Sequence, residues 1–417
     1  MLCPHCNARI EPGISFCGVC GAPVGESALP QQPARSRRAV PWWWLLVAAL
    51  VAGAAAFGGA LLLFGDDEPD AAATTEVVAT TTTTTTTTVP TTTTETEDGD
   101  RDISRLDVVR ARGRLNCGVN DLMPGFGVVA ESGSYSGFDV DMCRVIAAGV
   151  LGDADAVRFI PLTAAERFTA LADGAIDVLV RTTSWTASRD GFGRARFLFT
   201  TFYDGQGFLV PASSGRTAVA DLAGATVCVL AGTNAELNLA RVFEGRGIPV
   251  TGAAFQAVEP LEEAYRSGEC AAWSADVSQL AVFKARIEAE EGPEQAILAE
   301  TISREPTGPV VADGDDAWAQ AVEWSVIATV QAWEFGLDST TVTSYDGDDP
   351  LVLRFLGEGG FDPGLGLDPD HSVTIVSEVG SYQEIYARNL GPLGLPLEGT
   401  LNALWSDGGL MYAPPYR

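Results

Sequence analysis

Four cysteines near the start of the chain have a spacing suited to metal binding. They form two Cys-x-x-Cys pairs, Cys3 with Cys6 and Cys17 with Cys20. Each pair can place two thiolates on one ion, and two pairs complete the tetrahedral shell that Zn²⁺ prefers. Residues 1–25 are too few to bury much apolar surface, so metal binding would supply their folding free energy. The spacing predicts a zinc site with these four cysteines as ligands.

Residues 1–25 resemble the short zinc ribbons found at the N-termini of some bacterial membrane proteins. A redox-active thiol pair and two disulfides are the alternative interpretations of these cysteines. Both are disfavoured in a reducing cytoplasm. The interpretation as a zinc ribbon therefore depends on which side of a membrane the segment occupies.

An uncharged apolar stretch follows at residues 42–64, and its 23 residues are enough to cross a bilayer as a helix. Arginines are concentrated in the basic segment 26–41 just before it, and acids begin at Asp66 just after it. By the positive-inside rule this predicts a single-pass transmembrane helix with a cytoplasmic N-terminus and an extracytoplasmic C-terminal part. A cleaved signal peptide is the alternative, but the 41 residues before the stretch fit it less well.

Residues 65–102 form a threonine-rich linker with nine consecutive threonines at 80–88. Such a composition cannot bury a core and predicts a disordered stalk. The whole chain has 26 Lys and Arg against 55 Asp and Glu, a formal net charge of −29. A charge of this sign and size argues against nucleic acid as a partner, because phosphate binding requires a basic surface.

Residues 103–417 alternate short apolar runs with helical patterns, which indicates an α/β domain. Leu115–Val119 reads as a strand and Phe138–Leu151 as a helix. A first set of strands closes with residues 207–210, and the pattern restarts with a strand at 225–230. Repeated β-α-β units predict mostly parallel sheets. Two successive sets predict two lobes with a ligand-binding cleft between them.

Several motifs of this domain resemble family 3 solute-binding proteins of amino-acid ABC transporters, most closely the general L-amino-acid-binding branch. The resemblance covers about 103–417 and rests on the segments Gly137-Phe138-Asp139-Val140-Asp141, Arg181-Thr182-Thr183-Ser184-Trp185-Thr186-Ala187-Ser188-Arg189, Gly232-Thr233-Asn234 and Ser274-Ala275-Asp276. It implies a periplasmic-binding-protein fold of type II, the Venus flytrap arrangement. Lobe 1 would comprise about 103–210 and 305–417, and lobe 2 about 211–304.

The resemblance also implies which residues bind the ligand: Arg189, Asp276, Ser184, Thr183, Thr233, Asn234 and Phe126. A planar arginine fork suits the carboxylate of a free amino acid, and a carboxylate suits its ammonium group. Arg189 and Asp276 therefore match the two ends of a zwitterion. Thr233 and Asn234 would open a helix whose N-terminus favours an anion. Phe126 is a candidate wall of the side-chain pocket.

The remaining cysteines lie beyond the predicted span, where disulfides persist. They are Cys117, Cys143, Cys228 and Cys270, and three pairings are open to them. The two lobes favour Cys117–Cys143 within lobe 1 and Cys228–Cys270 within lobe 2, because a bridge between lobes would restrain their hinge.

The expected function is reversible capture of free L-amino acids outside the cell membrane and delivery to the permease subunits of an ABC transporter. A membrane-tethered amino-acid sensor is one alternative, and a dehydratase-like enzyme on the same fold is another. Acid-base catalysis is disfavoured because Lys284 is the only lysine and His371 the only histidine beyond the span. We expect zinc in the N-terminal ribbon and no cofactor in the binding domain.

Overall fold

The computed structural model describes residues 103–192, 194–360 and 364–416. The predicted zinc ribbon, membrane span and linker lie outside the described residues. Within those ranges, no helix combines the length and apolar character needed to cross a membrane.

Two five-stranded sheets organise the described chain, each at the centre of one lobe. The strands, in chain order, are β1 (Leu115–Val119), β2 (Leu122–Met123), β3 (Gly127–Val129), β4 (Tyr135–Ser136), β5 (Val157–Pro161), β6 (Val178–Leu179), β7 (Ala195–Phe197), β8 (Phe202–Asp204), β9 (Gln206–Pro211), β10 (Thr226–Leu230), β11 (Thr251–Phe255), β12 (Ala272–Asp276), β13 (Gln295–Ile297), β14 (Glu305–Thr307) and β15 (Val310–Ala312).

The helices cover these sheets and build the C-terminal part of the domain. They are α1 (Arg105–Arg112), α2 (Phe138–Leu151), α3 (Arg167–Ala172), α4 (Ala187–Phe192), α5 (Asn234–Arg246), α6 (Val258–Arg266), α7 (Val277–Ala289), α8 (Asp316–Glu334), α9 (Pro350–Phe355), α10 (His371–Glu378) and α11 (Tyr382–Asn389).

The sheet of lobe 1 has the strand order β5-β1-β6-β15-β7. Strands β5 and β6 flank β1 in parallel, whereas β15 pairs antiparallel with both β6 and β7. The sheet is therefore mixed, and its parallel part accounts for the β-α-β pattern of the sequence. Helix α2 packs on this sheet and on α8, and it is buried along almost its whole length.

The sheet of lobe 2 has the order β11-β10-β12-β9-β13 and is also mixed. Strand β9 pairs antiparallel with β12 and β13, so it belongs to lobe 2. This differs from the expectation that residues 207–210 close the first set of strands. A short apolar run indicates a buried strand but does not indicate which sheet the strand joins. The pairing of β9 shows that the chain crosses between the lobes before residue 206 rather than near 210.

The connection between the lobes is a two-stranded antiparallel ladder of β8 and β14. The C-terminal part of the chain reinforces it from the lobe 1 side. The side chain of Asn402 accepts a hydrogen bond from the backbone N–H of Tyr203 at 2.7 Å and donates one to its carbonyl at 3.1 Å. The Tyr382 hydroxyl donates to the carbonyl of Thr201 at 2.8 Å. These contacts from Tyr382 and Asn402 thus hold the strand that links the lobes.

Each lobe contains one disulfide, Cys117–Cys143 in lobe 1 and Cys228–Cys270 in lobe 2. These are the pairings that the lobe argument favours. The first joins β1 to the helix packed on it, and the second joins β10 to the loop before β12. Neither bridge crosses the hinge, so both stabilise a lobe without opposing its rotation.

Replacing Cys228 and Cys270 together by alanine should lower the free energy of unfolding by about 2–4 kcal/mol, because the bridge restricts the unfolded chain. Urea unfolding of both proteins would measure the change, and reductant should shift the midpoint of the parent protein but not of a variant lacking all four disulfide cysteines. Equal unfolding midpoints of parent and double variant would contradict the prediction.

Candidate functional site

A cavity of about 60 Å³, counted as space for the centres of water-sized molecules, lies between the two lobes. One water needs about 10–15 Å³ on that measure, so the cavity has room for a small polar molecule. The residues that line it come from both lobes: Asn120, Met123, Arg167, Arg181, Thr182, Ser184 and Arg189 from lobe 1, and Leu230, Thr233, Asn234, Ala235, Val258, Ser274, Ala275, Asp276 and Gln279 from lobe 2.

Arg189 lies in α4 and is only 1% exposed. Its Nη1 donates to the carbonyl oxygen of Ser184 at 2.9 Å, and its guanidinium carbon lies 5.7 Å from the centre of the Phe168 ring. Burial lowers the pKa of Arg189 to about 10, with Glu305 and Asp276 opposing that shift. The group therefore stays protonated at neutral pH and presents a positive charge inside the cleft.

The loop that precedes α4 is strained. Thr182 has a φ of 38°, a left-handed conformation that is costly for a β-branched residue. Two contacts hold it: the Thr182 backbone N–H donates to the Asp139 carboxylate at 2.8 Å, and Asn120 donates to the Thr182 hydroxyl at 3.1 Å. Ser184 then forms an antiparallel bridge with Thr307 of β14. The loop that carries Ser184 to the cavity is thus tied to the hinge.

Two further arginines line the same cavity. Arg181 follows β6, and its Nε donates to the carbonyl of Leu162 at 2.6 Å. Burial lowers its pKa to about 10, while Asp139, Asp121 and Glu166 favour its charged form.

Arg167 opens α3 and is 3% exposed. Its Nη2 contacts the carbonyl of Gly232, across the cleft, at 3.4 Å. Burial, and then the nearby Arg189 and Arg181, lower its pKa well below the usual range.

The acidic side of the cavity is provided by Asp276, at the carboxyl end of β12. Burial raises the pKa of Asp276 well above its usual range, and the carboxylates of Asp204 and Glu305 raise it further. Asp204 and Glu305 face each other in register across the hinge ladder. Gln279 donates to Asp276 at 3.3 Å. A cation near Asp276 would therefore relieve repulsion among these three carboxylates.

Thr233 caps the start of α5, and Asn234 is the first residue of that helix. The Thr233 hydroxyl donates to the Leu230 carbonyl at 2.6 Å, and the Asn234 amide donates to Glu305 at 2.8 Å. Both residues line the cavity, but in this arrangement their side chains form hydrogen bonds within the protein. The backbone N–H groups of the first helical turn remain the groups suited to an anion.

Two of the predicted site residues lie elsewhere. Phe126 is 1% exposed and packs edge-on against Phe138 and Phe202 in the core of lobe 1, so it does not line the cavity. Thr183 is fully buried, and its hydroxyl donates to the Arg181 carbonyl at 2.9 Å. Met123, shortly before Phe126 in the chain, lines the cavity instead.

The sequence motifs do not predict Arg167, which lines the cavity, or Glu305, which raises the pKa of Asp276. A charged residue in the apolar helical run of α3 was the available signal for Arg167, since Phe168 and Leu171 beside it are buried. Glu305 gave no such signal, because it acts from the hinge strand rather than from a motif around the cleft. In the ranges that the structure describes, no cluster of His, Cys, Asp and Glu is arranged to hold a metal ion.

A cleft between two lobes, with buried cations on one lobe and an acid on the other, defines a binding protein that encloses a small charged ligand. Residues 115–332 match the bacterial extracellular solute-binding proteins, family 3. The chain belongs to this family. Residues 2–24 separately match a zinc-ribbon domain.

The proteins similar to this chain include two relatives named for the ligands they bind and one solved structure. The glutamate/glutamine/aspartate/asparagine-binding protein BztA of Rhodobacter capsulatus is 41% identical over 318 residues, 75% of this chain and 94% of BztA. The general L-amino acid-binding periplasmic protein AapJ of Rhizobium johnstonii is 40% identical over 318 residues, covering 75% and 92%. A solved ABC transporter periplasmic binding protein from Brucella ovis with glutathione bound is 41% identical, with a TM-score of 0.72 over 76% of this chain and all of that one.

The Asp139 carboxyl that holds the strained loop should make stability depend on pH. Burial raises its pKa to about 7, although the Thr182 hydrogen bond and Arg181 oppose the shift. In the unfolded chain the pKa of an aspartate is about 3.9, so the folded state binds this proton more tightly. The contribution of Asp139 to the free energy of unfolding therefore declines as pH rises from about 4 through about 7. Asp139→Asn, which retains the acceptor oxygen, should remove that decline. Urea midpoints at about pH 5 and about pH 8 would measure it.

Asp190→Asn, at an exposed position in α4, provides the control and should leave the pH dependence of the parent protein unchanged. An Asp139→Asn protein that loses as much stability as the parent over this range would assign the dependence to other groups.

Proposed function

We propose that the chain captures free L-amino acids between its two lobes and delivers them to the permease subunits of an amino-acid ABC transporter. The observation that carries the proposal is the placement of Arg189 and Asp276 in one cavity, from opposite lobes. Every free amino acid presents a carboxylate and an ammonium on one carbon. Arg189 suits the carboxylate and Asp276 suits the ammonium. Because both groups are common to all free amino acids, this pairing does not select among ligand side chains.

The carboxylate would lie against Arg189, with the Ser184 hydroxyl and the N-terminus of α5 as additional donors. A guanidinium fork pairs with a carboxylate through two parallel hydrogen bonds, and burial in a low dielectric strengthens them. The Phe168 ring beside Arg189 fixes the guanidinium plane on one side. The strained loop at Thr182 sets the direction from which Ser184 enters the cavity.

The ammonium would lie against Asp276. In the absence of a cation, burial and the neighbouring carboxylates raise the pKa of this group and favour its protonated form. A ligand ammonium would favour the ionised form and would release the proton. Since Arg189 and Asp276 belong to different lobes, the zwitterion is bound at both ends only when the lobes are closed, so ligand binding favours closure.

The general L-amino-acid-binding character of the relative AapJ supports a permissive side-chain pocket in this chain. Met123 supports it too, because a flexible thioether adapts to side chains of different shape. The Brucella ovis protein, which was solved with glutathione bound, suggests glutathione as a second candidate ligand. An adjoining cavity of about 240 Å³ shares Asn120, Arg181, Leu230 and Val258 with the first and would give a longer ligand room.

We further propose that residues 42–64 anchor the chain in the cell membrane, with the zinc ribbon in the cytoplasm and the binding domain outside. The uncharged stretch and the arginines before it support this arrangement. The donor set of four cysteines in residues 2–24 fits Zn²⁺. The flexible composition of residues 65–102 favours a tether for delivery over a rigid connection for signalling, which is the competing role.

Arg189→Ala should weaken binding of every amino acid that the parent protein binds, by about 100-fold or more, because a ligand carboxylate would be buried without its partner. Isothermal titration of the full-length chain with a panel of L-amino acids and glutathione would measure this. Arg196→Ala is the matched control, since Arg196 pairs with Asp316 at the surface of lobe 1. Unchanged binding by the Arg189 variant would reject its role as the carboxylate fork, and no binding of any ligand by the parent would reject the proposed function.

The proposed topology predicts that the four N-terminal cysteines are protected in intact cells. A membrane-impermeant thiol reagent should leave Cys3, Cys6, Cys17 and Cys20 unmodified, and it should reach a cysteine introduced in place of exposed Ser132. Modification of the N-terminal cysteines in intact cells, with zinc removed, would place the ribbon outside and contradict the anchor. A chain released from membranes by mild salt would contradict it as well.

A further inference from the structure

Two strands carry the chain between the lobes, and the bonding of each changes from one lobe to the other at a definite residue. In the outgoing strand β8, the backbone of Tyr203 is bonded on the lobe 1 side. The carboxylate of the next residue, Asp204, accepts hydrogen bonds from the backbone N–H and the hydroxyl of Ser278 in α7 of lobe 2. The carbonyl of Gly205 then accepts from the Val277 N–H of the same helix at 2.8 Å. The outgoing strand therefore passes to lobe 2 between residues 203 and 204.

The returning strand β14 passes back in the same abrupt way. The carboxylate of Glu305 accepts hydrogen bonds from two side chains of α5 in lobe 2, Asn234 at 2.8 Å and Asn238 at 2.9 Å. The carbonyl of the next residue, Pro306, accepts from the Trp185 N–H of lobe 1 at 2.8 Å. The returning strand therefore passes to lobe 1 between residues 305 and 306.

The two changes of lobe fall on one step of the hinge ladder. Asp204 lies opposite Glu305, and these two residues are bonded to lobe 2. Tyr203 lies opposite Pro306, which is the adjacent pair on the lobe 1 side. A rotation at this step leaves the contacts on either side of it in place. It is therefore the least costly position for a hinge, since few residues need to change their dihedral angles.

The C-terminal part of the chain, rather than the sheet of lobe 1, fixes Tyr203. The partner opposite Tyr203 is a proline, which has no N–H, and both backbone groups of Tyr203 are bonded on the other edge of β8. There the Asn402 side chain accepts from the N–H at 2.7 Å and donates to the carbonyl at 3.1 Å. Asn402 is only 4% exposed. Its amide thus takes the place of a neighbouring strand.

Two tyrosines of α11 hold the residues just before Tyr203. The Tyr382 hydroxyl donates to the carbonyl of Thr201, and the Tyr386 ring stacks on the Phe202 ring at 16°, with centroids 6.2 Å apart. Residues 201–203 are thus held by residues 382–402, whereas residues 204 and 205 are held by lobe 2. The freedom of β8 is therefore limited to the single peptide between residues 203 and 204.

We propose that Asn402 is a positioning residue for ligand-driven closure, because it fixes the lobe 1 side of the hinge and confines the rotation of the lobes to one step of the ladder. This inference rests on the proposed amino-acid-binding function and extends it to a residue that does not line the cavity. A hinge with one side fixed has few open arrangements. Closure then loses little conformational entropy, and more of the interaction with the ligand remains as affinity.

Asn402→Ala should weaken binding of every amino acid that the parent protein binds by the same factor, about 5- to 30-fold, which corresponds to ordering the backbone of one residue. The ratios of affinity between ligands should stay the same, because the substitution leaves the cavity lining intact. Isothermal titration of the full-length chain with the amino-acid panel measures both properties. Asn389→Ala is the matched control and should bind like the parent, since the Asn389 side chain donates to Asp141 of α2 rather than to the hinge.

Hydrogen exchange of the full-length chain separates a hinge role from a general loss of stability. In ligand-free Asn402→Ala, the backbone of residues 201–206 should exchange faster than in the parent, whereas strands β1 and β10 should keep parental rates. Saturating ligand should slow exchange at 201–206 toward the parental rate, because closure orders the hinge again. A purely structural role would accelerate exchange throughout lobe 1 and would not respond to ligand in this way.

The outcomes separate this inference from the proposed function. Parental affinities in a folded Asn402→Ala protein would overturn the inference, and so would losses that differ from ligand to ligand. Unchanged exchange at 201–206 would overturn it even if the parent bound no ligand. Absence of binding by the parent would instead overturn the proposed function. If Asn402→Ala does not fold, Tyr382→Phe, which loses the hydrogen bond to Thr201, should give smaller changes of the same kind in both measurements.

Discussion

The burial of three guanidinium groups in one narrow cavity is the constraint on which the rest of the site depends. Moving a charge from water into a low-dielectric interior is costly unless hydrogen bonds and opposite charges replace the water. Each arginine donates to a main-chain carbonyl: Arg189 to Ser184, Arg181 to Leu162 and Arg167 to Gly232. These oxygens fix the side chains but do not neutralise them. The fold thus holds three cations in position at the cavity, and nearby carboxylates favour the charged form of each.

The two sheets explain why these carbonyls converge. Leu162 follows β5, Ser184 comes shortly after β6, and Gly232 follows β10, so each lies beyond the carboxyl end of a parallel strand. Carboxyl ends of neighbouring parallel strands lie at one edge of a sheet, where ligands of α/β proteins commonly bind. In this fold the edges of two such sheets face each other. Asp276, at the end of β12, completes the arrangement from lobe 2.

Much of the fold could be predicted from the sequence, because its elements have clear local signals. The strand Leu115–Val119 and the helix Phe138–Leu151 have the predicted bounds. The lobe predicted for strand β9 is wrong, because its pairing partners, β12 and β13, are distant in the sequence. Phe126, predicted as a wall of the side-chain pocket, packs in the core of lobe 1, whereas Met123 lines the cavity. Which of two nearby apolar residues faces a cavity depends on the course of the short sheet β2-β3-β4, and no periodicity extends over so few residues.

The balance of charge in the site was the property that the sequence predicted least well, because it arises from residues that lie far apart in the chain and meet only in the fold. Asp204 and Glu305 are far apart in the chain yet face each other in the hinge ladder, and both act on Asp276. The same hinge carries Thr307, which bridges to Ser184 on the arginine side. The hinge thus contributes carboxylates near Asp276 and a backbone bridge to the loop that carries Ser184. In the proposed function, a ligand with both kinds of charge would pair with Arg189 and Asp276 at once, and only when the lobes are closed, so recognition and closure would depend on the same pair of side chains.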